Sequence, residues 1–224
     1  MEIAPNIHAI EMGFVYAYLI LADDSCVLID TGLDRSAKKI IGYIKNAGFT
    51  MDQLTAIMIN HADGDHYGGL HTLQTLSGAK VYASSIEADA IEQGVSSRKL
   101  TPTGFQKLIF SVISQFIKPI PASVNQNPQN AETLPILDGL EVIATPGHTP
   151  GHLAYFLPSM RILFAGDSIT GSSDKLISSH GANTADEAQA KESFKKLYEL
   201  KPEKVLAGHC LSLNQAYNHF FFSV

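Results

Sequence analysis

Short apolar runs separated by polar turns open the chain. Ile7 to Ile10, Tyr16 to Leu21 and Cys26 to Ile29 read as three strands, with Asp23-Asp24 as a hairpin turn. The period then changes to that of a helix: Ala37, Ile40, Ile41 and Ile44 share one face, Asp34 or Ser36 can cap it, and Gly48 ends it. Leu54 to Ile59 is again strand-like. Leu70, Leu73 and Leu76 recur at helical spacing up to Gly78, Lys80 to Ala83 is a strand, and Ser84 with Glu87 forms a capping box for the next helix. A second series follows, with strands at Glu141 to Ala144, Leu153 to Leu157 and Arg161 to Phe164 joined by Gly and Pro turns. The stretch from Gly171 to Asn183 reads as a surface loop near a site, after which Thr184 and Glu187 cap a helix carrying Ala190, Phe194 and Leu197 that stops before Pro202. Phe220 to Phe222 reads as an edge strand or packed tail. A sheet with helices, twice over, predicts an α+β protein and suits a four-layer αββα sandwich.

One stretch interrupts this rhythm. Between residues 95 and 134, Phe105, Leu108, Ile109, Val112, Ile113, Phe116 and Ile117 mark an amphipathic helix over 103–118, followed by a Pro/Asn-rich loop. It either packs on the domain or serves as a lid, a homodimer contact or a substrate wall.

The candidate chemistry sits where apolar runs end. Directly after Leu54 to Ile59 come His61, Asp63, Asp65 and His66, whose crowding a divalent cation would compensate, although a polar turn with a helix cap is the plainer account of that stretch alone. On extended backbone His61, Asp63 and Asp65 project one way, and Gly64 bends the chain so that His66 joins them. His148 follows Leu140 to Ala144, Asp167 closes the run Ile162 to Gly166, and His209 follows Val205 to Gly208. In layered α/β proteins strand ends converge on one crevice, so four such placements point to a metal site.

With those residues in place, the chain resembles the metallo-β-lactamase superfamily, whose pattern is H-x-H-x-D-H, a His in a T-x-G-H-T-x-G-H turn, an Asp in F-x-G-D, and a final G-H. The match covers nearly the whole chain, and Asp30 in Leu28-Ile29-Asp30-Thr31-Gly32 falls where the family has an early D-T-G. The resemblance implies the αββα fold over 1–224 as one domain and two divalent metal ions: one held by His61, Asp63 and His148, the other by Asp65, His66 and His209, with Asp167 bridging. It also implies that Asp65 orients a metal-bound hydroxide, and that Asp30 supports a ligand imidazole or the loop backbone from behind. Zinc is the expected metal. Asp63 stands where the family has a second His, and a third carboxylate lowers the centre's formal charge by one unit, which tilts preference towards Fe or Mn and makes hydroxide harder to form. Tyr67 and His180 are the candidates for a leaving-group acid, each by position alone.

Composition narrows the function. A net charge of -6 gives no electrostatic footprint for nucleic acid, and no apolar run reaches the length of a membrane span. With no basic n-region and apolar h-region at the N-terminus, a cytoplasmic protein with a small-molecule substrate is expected. Cys26 and Cys210 are expected to be reduced. The leading reading is a dinuclear hydrolase acting on an ester, thioester, lactone or phosphodiester. The alternatives are a non-haem iron oxidoreductase related to the diiron flavoprotein or sulfur dioxygenase branches, to which the carboxylate at 63 points, and a catalytically silent metal-binding module.

Overall fold

The structure is a computed structural model that describes residues 1–98, 119–137 and 139–222. The helix expected over 103–118, with its proposed roles as lid or dimer contact, lies outside the described residues. The N-terminal sheet has six strands in sequence order: β1 (Glu2–Ala4), β2 (Ile7–Glu11), β3 (Tyr16–Leu21), β4 (Cys26–Ile29), β5 (Leu54–Met58) and β6 (Lys80–Tyr82). The first four pair antiparallel and the last three parallel. Among the described residues, four α-helices accompany this half: α1 (Ala37–Asn46), α2 (Gly64–Tyr67), α3 (Leu70–Ser77) and α4 (Ser85–Gln93).

The second half repeats the scheme with β7 (Thr133–Leu134), β8 (Leu140–Ala144), β9 (Leu153–Leu157), β10 (Ile162–Gly166), the hairpin β11 (Ile169–Ser172) and β12 (Lys175–Ser178), α5 (Glu187–Glu199), β13 (Lys204–Ala207) and β14 (Leu211–Ser212). Its main sheet runs β14-β13-β10-β9-β8-β7, with β10 and β13 parallel.

Strand alternation builds three apolar layers from these two sheets. In β3, Ala17 and Leu19 face α1 and α3, whereas Tyr18 and Ile20 face the opposite sheet. In β9, Leu153, Tyr155 and Leu157 face inward while Ala154 and Phe156 meet Phe194 and Leu197 of α5. The result is the four-layer αββα sandwich. Each side chain of Leu or Phe size buried this way contributes about 1.5–3 kcal/mol, so the central layer with Tyr155, Phe164 and Leu206 fixes the spacing of the two sheets.

Several local expectations need correction. The chain is not extended through Asp65: it turns helical at Gly64, and Asp65 and His66 are carried on α2 with Asp63 as its N-cap residue. Leu76 points away from the core and is exposed, because α3 is only eight residues long and buries Leu70 and Leu73 alone. Within 171–183, the backbone pairs as the β11–β12 hairpin rather than running as a loop. Helix α5 is capped by Asp186, whose carboxylate accepts from the amides of Ala188 and Gln189, and the Glu187 carboxylate is drawn instead to the Gly181 amide. Among the described residues, no helix is long and apolar enough to cross a membrane.

Candidate metal centre

Topology brings the candidate ligands to one edge. Strands β4 and β5 are parallel, so Asp30 and His61 leave the first sheet on the same side. Strands β10 and β13 are parallel too, which puts Asp167 and His209 together on the second. Strand β9 runs antiparallel to β8 and β10, so its first neighbour, His152, meets the ends of both. The two sheets are tied at this edge by the Leu153 amide donating to the Asn60 carbonyl (2.9 Å) and the Asn60 side chain donating to the Leu153 carbonyl (2.6 Å).

The ligand atoms converge. Three groups, His61/Asp63/His148, Asp65/His66/His209 and His61/His66/Asp167, each place one nitrogen or oxygen per residue within 4.8 Å of the others. Asp167 lies between them: Oδ1 is 3.2 Å from His66 Nε2, and Oδ2 is 3.2 Å from His209 Nε2 and 3.5 Å from His148 Nε2. Asp63 Oδ2 is 3.4 Å from His61 Nε2 and 3.3 Å from His148 Nε2. Asp65 Oδ2 is 3.6 Å from His209 Nε2. Among the described residues, four buried side-chain nitrogen and oxygen atoms lack a hydrogen-bond partner: His61 Nδ1, His61 Nε2, His66 Nε2 and Asp167 Oδ1. Three of these are the atoms that face the centre. Buried polar groups are otherwise nearly always satisfied, so this cluster of imidazoles and carboxylates fits a bound cation.

The groups behind the ligands set their orientation. His66 Nδ1 donates to Asp30 Oδ2 (2.7 Å), and the Asn60 amide donates to Asp30 Oδ1 (2.9 Å), so Asp30 holds both an imidazole and the loop backbone. It does so from a left-handed conformation (φ 58°), a costly one for a residue with a side chain. His209 Nδ1 donates to the Phe14 carbonyl (2.6 Å), and the two rings stack. His148 Nδ1 pairs with Ser179 Oγ (3.0 Å). In each case the outward nitrogen is occupied and Nε2 is left for the centre. Replacing Asp30 by Asn is expected to weaken metal binding about 10–100-fold. A competition titration against a chromophoric chelator would show it, and unchanged affinity would remove Asp30 from this role.

Electrostatics separates the histidines. Burial pushes the His66 pKa down, but the carboxylates of Asp167 and Asp30 outweigh it and hold it well above the usual imidazole range. His152 moves the other way: burial, then the charges of His61 and His148, depress it well below that range. It is therefore neutral. Its Nδ1 meets Thr145 Oγ1 (2.8 Å), and its Nε2 accepts the backbone N–H of Asp167 (3.1 Å), so it steadies the Asp167 turn as well as that of His148. Gly208 explains why β13 can end so close: a Cβ there would stand 2.2 Å from Asp167 Oδ1 and 2.6 Å from His66 Cε1.

A cavity of about 360 Å³ opens over the centre, with Phe14, Asp65, Arg98, Thr170, His180 and Asn183 among its lining residues. His180 therefore stands at the mouth, its Nδ1 on the Ser178 carbonyl. Tyr67 does not line the cavity. It is buried in the helix-side core with its hydroxyl donating to the Val95 carbonyl (3.1 Å), which corrects its candidacy as leaving-group acid. Both cysteines are free and buried, and burial pushes each thiol up to about 11, so Cys210 beside His209 stays protonated.

Two residues had no role in the sequence reading beyond local structure. Glu87 is fully buried (0% exposed), and its carboxylate accepts from Ala62 N and Ser97 Oγ on one oxygen and from Thr149 Oγ1 and Gly151 N on the other. It thereby joins the His61 loop to the His148 turn. Arg98 lies against Asp63. For Glu87 the sequence signal was there but pointed to a capping box; for Arg98 there was none.

A sandwich of two sheets with a His/Asp centre at their common edge defines a metallo-hydrolase-like protein. The chain belongs to the metallo-β-lactamase superfamily, whose family model matches residues 10–209. It is 31% identical over 225 residues to "Probable metallo-hydrolase YflN" of Bacillus subtilis (strain 168), across 93% of this chain and 85% of that protein. It is 28% identical over 161 residues to a hydroxyacylglutathione hydrolase of Rhodobacter capsulatus, across 70% of this chain but only 48%, about half, of that relative. Among solved structures, a metallo-β-lactamase with a HARLDQ motif from Cronobacter sakazakii superposes with TM-score 0.74 at 24% identity, covering 93% of this chain and 77% of that one. The MIM-2 metallo-β-lactamase does so with TM-score 0.72 at 24% identity, covering 95% and 82%. At these identities the structural likeness is one of fold.

Proposed function

We propose that this protein is a metal-dependent hydrolase that cleaves an ester, thioester, lactone or phosphodiester of a small molecule at a two-cation centre, with zinc as the working metal. The observation that carries this reading is the set of buried, partnerless nitrogen and oxygen atoms aimed at one point on the sandwich edge. The names of the relatives, a probable metallo-hydrolase and a hydroxyacylglutathione hydrolase, support the hydrolytic class.

His61, Asp63 and His148 would hold one cation and Asp65, His66 and His209 the other, with Asp167 between them. A bound cation pair supplies activation of water near neutral pH and polarisation of the scissile carbonyl or phosphoryl oxygen. The chain's own residues do the rest. Asp30, His152, Ser179 and the Phe14 carbonyl fix the imidazoles and Asp167 in place, so that little reorganisation accompanies reaction. Asp65, whose side chain is 26% exposed, faces the cavity and can accept a hydrogen bond there. His180 at the mouth is the remaining candidate for protonating a leaving group. The modest cavity favours a small substrate.

The test is a panel of aryl esters, thioesters, lactones and an aryl phosphodiester assayed on protein loaded with Zn, Mn or Fe. Turnover of at least one class, abolished by a chelator and restored by metal, is expected. A chain that binds about two metals yet turns over nothing would point to the silent module, and iron-dependent oxygen consumption to the oxidoreductase.

A further inference from the structure

We propose that Arg98 is the counter-charge of Asp63, and that it sets how tightly the His61/Asp63/His148 site holds its cation. The inference rests on the metal-centre reading above and concerns the one ligand position that departs from the family pattern.

Asp63 is buried, and its carboxylate is taken up on two sides. Oδ1 accepts from Ser96 Oγ (2.6 Å) and from Arg98 Nε (3.2 Å). Oδ2, the oxygen that faces His61 and His148, also contacts the second nitrogen of the Arg98 fork. This is a bidentate guanidinium–carboxylate pair, with side-chain exposures of 10% and 8%, so water screens it little. Burial pushes the Asp63 carboxyl up, but the hydrogen bond from His148 and the charges of His61 and Arg98 hold it well below the usual carboxylate range.

Asp63 is not alone in fixing where the guanidinium lies. Arg98 also donates to the Asn183 carbonyl across the cavity mouth, and the adjacent Ser97 is tied to the buried Glu87. The segment 96–98 is therefore anchored on three sides, and the positive charge stays at the centre.

The consequence is electrostatic. Counting ligands alone, a carboxylate in place of an imidazole makes the centre more anionic by one unit. Arg98 cancels that unit and shares the oxygen a cation would use. The site is then balanced like one with a neutral third ligand, which removes the ground for a shift from zinc towards iron or manganese.

The experiment is a zinc titration of metal-free protein against a chromophoric chelator, comparing wild type with Arg98→Met, Arg98→Lys, Asp63→Asn and the double variant Asp63→Asn/Arg98→Met. Arg98→Met removes a repulsive charge and frees a carboxylate oxygen, so zinc should bind about tenfold tighter or more. Arg98→Lys keeps the charge and should stay within about threefold of wild type. Asp63→Asn should bind more weakly, and adding Arg98→Met should recover at least about tenfold of that loss. A merely structural Arg98 would give weaker or unchanged binding in both backgrounds, or a Lys variant that behaves as the Met variant does; any of these results overturns the proposal. Failure of both the wild type and Arg98→Met to bind zinc would instead overturn the metal-centre reading beneath it.

Discussion

Asp167→Asn is expected to reduce metal content from about two ions per chain to one or fewer, and to lower hydrolytic turnover by roughly three orders of magnitude. Asp167 is the residue that touches both halves of the centre. Its Oδ1 meets His66 and its Oδ2 meets His209 and His148, so both oxygens are in use. An amide offers one acceptor and turns the other position into a donor aimed at imidazole nitrogens. It also removes a full charge: burial pushes the Asp167 carboxyl up, but the His66 charge and the hydrogen bond from His209 outweigh this and keep it ionised. The backbone of the Asp167 turn is held separately by His152, so the substitution should leave the fold intact, while loss of the buried charge beside His66 lowers the melting temperature of the metal-free protein. Metal analysis by mass spectrometry and turnover on the best ester of the panel test this together. Retention of both metals with more than about a tenth of the turnover would mean that the two halves of the centre work without their common ligand.

The parts of this molecule that could be read from its sequence are those in which a residue's role is decided by its neighbours in the chain. Apolar runs with period two became strands at nearly the expected bounds, as at Tyr16–Leu21 and Cys26–Ile29. His61, Asp63, His148, Asp167 and His209 were placed near the ends of such runs, and parallel pairing of β4 with β5 and of β10 with β13 is what turns strand ends into one edge. Asp30 came instead from the resemblance, through the D-T-G that follows Ile29. What escaped were contacts across long sequence separations. Glu87 reads as the fourth member of a capping box, and its amide does bond to Ser84 Oγ, but its carboxylate leaves the helix for donors that arrive only with the second sheet. Arg98 meets Asp63 thirty-five positions away. Thr184 lost the α5 cap to Asp186 because Thr184 Oγ1 pairs with Ser179, the partner of His148.

Glu87→Gln should therefore act at a distance from the helix it begins. The carboxylate accepts four hydrogen bonds, two from hydroxyls and two from the backbone amides of Ala62 and Gly151, at 2.7 to 2.9 Å. Hydroxyls can rotate to accept from an amide nitrogen. Backbone N–H groups cannot, so whichever way the glutamine is turned, its NH₂ faces either Ala62 or Gly151 and leaves one buried donor unsatisfied. That costs about 2 kcal/mol, or a fall of roughly 4–8 °C in Tm for a chain of this size. A cap-box role alone predicts far less, since the Ser84 bond to the Glu87 amide survives the change. The second effect distinguishes the two accounts. Ala62 adjoins His61, and Gly151 lies in the turn that carries His148, so loosening either one misplaces a residue of the proposed His61/Asp63/His148 site; zinc affinity should fall about 10–100-fold. Thermal unfolding of the metal-free protein and zinc titration of the variant measure the two effects separately. A normal affinity with a lowered Tm would leave Glu87 as a structural strut only, while both changes together would make it the residue that transmits the packing of the two sheets to the metal ligands.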